Sequence, residues 1–161
     1  MPLRDGRIPV VTSVLDRLTE TPSAGTIGTV RPGTLAALRQ AVLRDLEHLL
    51  NTRREENLIP EGYRESGASL LNYGLPDLTV YSLKRASEQH RLRRTIEEAV
   101  RVFEPRLGNV SVAVEGWDEA RPILRFRVEA VLRVEPSPEP VVFDTEFSPE
   151  SGKFKLKGRL R

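Results

Sequence analysis

The sequence predicts an α+β fold in which N-terminal helices pack on a mainly antiparallel C-terminal β-sheet. Before residue 104, apolar side chains recur at three- and four-residue steps, the period of an amphipathic helix. After residue 108 they alternate with polar ones, the period of a half-buried strand. Between the two lies Phe103-Glu104-Pro105-Arg106-Leu107. Pro105 has no N–H and disfavours the α conformation at Glu104, so the helical half must stop there.

Each element follows from local chemistry. Residues 1–11 are polar and carry prolines, which predicts a flexible arm. Ser13 is placed to cap a short helix over 14–18, with Leu15 and Leu18 on one face, and 21–33 read as a Gly/Pro-rich loop. Thr34 caps the first strong helix, which runs to about Asn51 with Leu35, Leu38, Val42, Leu46, Leu49 and Leu50 as its stripe. Arg39, Arg44, Asp45 and Glu47 are read as lying largely off that stripe, and Asn51 as a left-handed C-terminal residue. A charged loop follows over 52–68.

Asn72, Gly74 and Pro76 impose a tight turn, while Leu71, Tyr73 and Leu75 are too apolar for a solvated one. The turn is thus either packed structure or a shaped surface for a partner. A short helix is expected after Asp77. Ser87 is placed to cap a second long helix that ends at Phe103, with Leu92, Ile96, Val100 and Phe103 inward. Outside, the four-residue spacing predicts the pairs Arg94–Glu98 and Glu97–Arg101. Strands are then expected over 110–115, 124–133, 141–147 and 153–157. No repeat or linker divides the chain, so residues 1–161 read as one domain, with a helical part over 12–107 and a β part over 108–161.

Composition narrows the function. At 161 residues, 39% hydrophobic and 30% charged, the chain suits one soluble domain with a single core. It has no Cys and only His48 and His90, so no disulfide, thiolate chemistry or His-rich metal site is expected. Without a Gly-rich phosphate loop or a spaced acidic loop, no cofactor or calcium site is expected either. No apolar run reaches the length of a signal peptide or a bilayer span, which places the protein in the cytoplasm as an expectation. Net charge is only +2 and arginines are interleaved with acids, which argues against a nucleic-acid surface.

Glu104 draws attention because an acid at a helix C-terminus opposes the macrodipole. It and Arg106 are either a solvated acid and base beside a helix stop or a functional ion-pair corner. Two-carboxylate hydrolysis of a glycoside is also compositionally open, with Glu104 as the acid and Glu115 or Asp118 as its partner. Arg106 favours the charged form, the wrong direction for a general acid, and Trp117 is the only tryptophan available to a sugar cleft. Lys153, Lys155 and Lys157 alternate with apolar residues on the last strand. They either protect a sheet edge or belong to a strand that adds to a partner's sheet.

These stretches, taken in order, resemble a known family. Leu49-Leu50-Asn51-Thr52-Arg53, then Leu71-Asn72-Tyr73-Gly74-Leu75-Pro76-Asp77, then Phe103-Glu104-Pro105-Arg106-Leu107 and Glu139-Pro140-Val141-Val142-Phe143 look like the TssE family of type VI secretion baseplates. That family is related to the phage baseplate wedge protein often labelled gene 25-like lysozyme. The resemblance covers roughly residues 12–157. It implies an α+β, sheath-subunit-like fold, a non-enzymatic role despite the label, and a place in a six-fold baseplate on the cytoplasmic side. Its implied partners are wedge proteins and contractile-sheath subunits. The Glu-Pro-Arg motif carried onto Glu104, Pro105 and Arg106 implies docking to the wedge core, and the resemblance favours strand addition at Lys153, Lys155 and Lys157. With Asn72, Tyr73 and Gly74 these form the expected partner surface. A docking role expects Glu104→Ala and Arg106→Ala to leave the monomer folded while impairing assembly.

Overall fold

The computed structural model describes residues 8–11, 30–54, 69–78 and 82–159. The short helix expected over 14–18, most of the 52–68 loop and the segment just after Leu78 lie outside the described residues.

Strand β1 (Ile8–Val11) pairs antiparallel with β2 (Val30–Gly33), with Pro9 opposite Pro32. An arm and a loop were expected here. Prolines demote a run as a strand because they remove ladder donors, which hides so short a pairing from periodicity.

Helix α1 spans Leu35–Asn51, and Thr34 Oγ1 accepts the Ala37 N–H at 3.1 Å, as the capping pattern predicts. Leu38, Val42, Leu46, Leu49 and Leu50 are its buried face. Asn51 stays helical and the extended Thr52 ends the helix, so Asn51 is not the left-handed cap.

Helix α2 spans Ala86–Phe103. It begins one residue before Ser87, behind an extended Arg85 that supplies no side-chain cap, so Ser87 sits in the first turn. Leu92, Ile96, Ala99 and Val100 are buried. The helical ion pair is Arg93–Glu97 at 2.8 Å, not the two predicted pairs. Glu97 also accepts the Val112 N–H at 2.9 Å and is drawn toward the sheet rather than to Arg101, while nothing in the structure explains the absent Arg94–Glu98 pair. No helix among the described residues is long and apolar enough to cross a membrane.

The sheet is an antiparallel meander of β3 (Leu107–Asp118), β4 (Ile123–Leu132), β5 (Glu139–Ser148) and β6 (Lys153–Arg159), hydrogen-bonded in that order. This is the α+β architecture that the change of period predicts. Alternation decides the two faces. Val112, Phe126, Val128, Phe143, Phe147, Phe154 and Leu156 are buried beneath the helices, with α1 against β6 and α2 against β3. Phe154 anchors this layer between Phe147, at 4.5 Å between ring centroids, and Phe126, at 6.3 Å. The opposite face carries Arg125, Arg127, Asp144, Glu146 and the exposed Lys153, Lys155 and Lys157.

Candidate functional site

The corner after α2 is built by the proline. Glu104 N–H still bonds the Val100 carbonyl, closing the helix, and Leu107 N–H bonds back to the Glu104 carbonyl at 3.1 Å. The intervening Pro105 is exposed. Arg133 N–H donates to the Arg106 carbonyl at 2.8 Å and ties the turn to the end of β4.

Within this turn Glu104 is only 4% exposed. Arg106 grips it as a fork, with Nε 2.6 Å from Oε1 and Nη2 2.5 Å from Oε2, and the Arg106 backbone N–H adds a longer bond to Oε1. Nη2 also reaches Asp45 Oδ2 on α1 at 2.6 Å. The solvated reading of this pair is therefore wrong: the Arg106 side chain is 11% exposed, that of Glu104 6% and that of Asp45 17%. Burial alone would lower the proton affinity of the guanidinium, but the hydrogen bonds and charges of Glu104, then of Asp45, outweigh it and hold it above its usual value. The guanidinium supplies the cation that this helix end prefers, which resolves the apparent misplacement of Glu104. One buried donor, Arg106 Nη1, has no acceptor among the described residues.

Asp45 is the residue that sequence reasoning missed. The signal was present: it follows Val42 by three positions and precedes Leu49 by four, which puts an acid at the margin of the apolar stripe.

The Asn72-Tyr73-Gly74 turn meets the same corner. Leu70–Asn72 form one 3₁₀ turn, and the Tyr73 ring stands edge-on to Phe103 at 5.3 Å. Burial raises the Tyr73 phenol above its ordinary range, and the charges of Asp45 and Glu104 raise it further. Gly74 has φ +106°, and a Cβ there would lie 2.3 Å from the Thr52 carbonyl oxygen. That carbonyl accepts the Leu75 N–H, while Arg54 N–H donates to the Leu75 carbonyl, so the turn is stitched to the end of α1. Gly74 is buried and serves this close approach.

Three large apolar side chains on these segments are exposed. Leu70 is 86%, Leu71 55% and Val102 40% exposed. A groove of about 300 Å³ is lined by Val102 together with Arg54, Asn72, Gly74, Arg91 and Phe103 among others. Lys153, Lys155 and Lys157 are not part of this corner, since β6 lies at the sheet edge opposite β3. Near them, Asn51 caps part of that edge: its Nδ2 donates to the Phe154 carbonyl at 3.0 Å and its Oδ1 accepts the Phe154 N–H at 2.9 Å.

The acids considered for hydrolysis are not brought together. Glu115 pairs with Arg127 on the outer face of the sheet. Asp118 accepts the Arg121 and Ala120 N–H groups of its own turn and pairs with Arg125 at 3.0 Å. The Arg121 bond does most to hold its carboxyl below the usual range, against a desolvation that works the other way. Glu104 turns both oxygens to Arg106 on the helix side.

Fold and site thus define a two-layer α+β subunit whose prominent features are surfaces and an internally locked corner. The chain matches the family described as baseplate wedge protein gp25 over residues 36–137, and it belongs to that family. The match supports a structural role in the baseplate of a contractile injection system. Comparison with curated proteins and with solved structures finds no match.

Proposed function

We propose that this chain is a baseplate subunit of a type VI secretion machine, working on the cytoplasmic side of the inner-membrane complex. It docks to other wedge components through the corner formed by residues 70–74 and 102–106. It nucleates the sheath, whose subunits it resembles in fold, by offering the β6 edge to a sheath strand. The observation that carries this reading is the buried Glu104–Arg106–Asp45 network in a turn flanked by the exposed Val102 and Pro105, joined by the Tyr73–Phe103 ring contact to a second turn that exposes Leu70 and Leu71. Exposed apolar side chains beside a rigid turn suit a partner surface.

In this account Glu104 and Arg106 shape the corner from within, and the neighbouring exposed groups touch the partner. Their burial argues against alanine at either position leaving the monomer's stability unchanged, because each change strands a buried charge.

The glycosidase reading has less support, with Glu104 locked to Arg106 and the other two acids engaged elsewhere. The test is affinity capture of the tagged chain from its native cells, alongside incubation of purified chain with cell-wall material. Capture of wedge and sheath proteins without cell-wall turnover is expected. Turnover that is lost in Glu104→Gln, with no wedge protein captured, would overturn the proposal.

A further inference from the structure

The four-stranded sheet has two edges, and they differ. β3 carries register shifts between Gly108 and Ser111 and between Val114 and Gly116. Its outward Val112 N–H is already bonded to Glu97. Bulges and occupied donors are how natural edges are closed to further strands.

β6 pairs with β5 without a register shift from Lys153 to Arg159. Among the described residues its outer side is blocked only at Phe154, where Asn51 takes both backbone groups. In an antiparallel ladder alternate residues turn N–H and C=O the same way, so Leu156 and Gly158 also face outward. Neither is hydrogen-bonded on that side by any of the described residues. The open part of the edge is therefore Leu156 to Gly158.

The outer face of the sheet also has a repeating sign. Arg125 stands opposite Glu146, which stands opposite Lys155. One row along, Arg127 stands opposite Asp144, which stands opposite Lys157. The first contacts in these rows are ion pairs at 3.5 Å for Arg125–Glu146 and 3.4 Å for Arg127–Asp144. Each row runs cation, anion, cation and stops at the β6 edge. A residue placed opposite Lys155 or Lys157 on a fifth strand would share their face and lie close to them. An acid there continues the row, and a base meets a like charge.

We infer that the segment accepted by β6 is an extended strand of another protein with acidic residues at two alternate positions, opposite Lys155 and Lys157, and apolar residues between them. The apolar positions continue the Phe154 and Leu156 layer under α1, where Leu43 lies close to Gly158. Asn51 sets the register by closing the edge at Phe154. A second copy of this chain does not fit, because two β6 strands paired with their apolar faces inward bring lysines against lysines. The inference rests on the reading that β6 receives a partner strand, and it adds the chemistry of that strand.

The test attaches a strand of alternating Glu and Val to the end of the full chain through a Gly/Ser linker, with a Lys and Val strand as its counterpart. The tether makes pairing intramolecular, so weak pairing is still seen. The readout is amide hydrogen exchange at Leu156 and Gly158. The Glu strand is expected to slow exchange about tenfold more than the Lys strand, and Lys155→Gln with Lys157→Gln to erase the difference. Equal protection by both strands in the wild type overturns the charge rule. Protection by neither overturns the open edge. If the edge fails while the tagged chain still captures wedge proteins, this inference falls and the baseplate assignment stands. If the Glu strand protects but no wedge protein is captured, the reverse holds.

Discussion

Arg106 Nη2 lies 2.6 Å from Asp45 Oδ2, although 61 residues separate them in sequence. This contact fastens the stop of α2 to the flank of α1, while the same guanidinium holds Glu104 in a fork. The Glu-Pro-Arg corner is therefore a joint between the two helices and β3, and its polar groups face inward.

Removing one side of that joint costs stability. Arg106→Ala and Glu104→Ala are each expected to lower the unfolding free energy by about 3–5 kcal/mol, since each leaves a buried charge unmatched. Arg106→Lys keeps the charge but loses the fork, and about 1–3 kcal/mol is expected. Denaturant unfolding measures all three. An unchanged midpoint in Glu104→Ala would show that the pair does not hold the corner.

Gly74→Ala combines a left-handed backbone with a Cβ driven into the Thr52 carbonyl. A loss of at least about 2 kcal/mol is expected. Gly152 has φ +63° but open space around its Cβ position, so Gly152→Ala is expected to cost about 1 kcal/mol. The difference between the two thermal midpoints separates the close approach from the backbone term.

Tyr73 reports the charge of the corner. Its phenol titrates above the ordinary value because of burial, then Asp45, then Glu104. The folded value exceeds the unfolded one, so this contribution to stability is complete below the unfolded value, near pH 10, and is lost as pH rises through the folded value. Asp45→Asn removes one of the causes and is expected to shift the titration downward. Tyrosinate absorbance against pH, with Tyr73→Phe to identify the signal, makes the check. No shift in Asp45→Asn would contradict the placement of Asp45 beside the ring.

Sequence periodicity captured what depends on local rules. The Thr34 cap, both buried helical stripes and the antiparallel strands were legible because each is set by neighbours within a turn or a pleat. What escaped depends on the tertiary structure. Glu97 was drawn to a strand N–H rather than to Arg101, and Asn51 served the β6 edge rather than its own helix end. Glu104 stood out as misplaced, but its burial follows from the α1 contact, which only the Asp45 spacing hinted at. Of the groups that remain exposed around this corner, Leu71 was read with its turn as either packed structure or a partner surface, whereas Val102 drew no functional reading because single apolar surface residues are ordinary.

The most direct measurement compares affinity capture by the tagged wild type with that by Leu71→Asp, Val102→Asp, with circular dichroism as the folding control. Both positions are exposed, so the variant is expected to keep its fold. The account predicts that wild type captures wedge proteins and that the folded variant captures at least about tenfold less, the loss of an apolar anchor at an interface centre. Undiminished capture by the folded variant would contradict the claim that this corner is the docking surface.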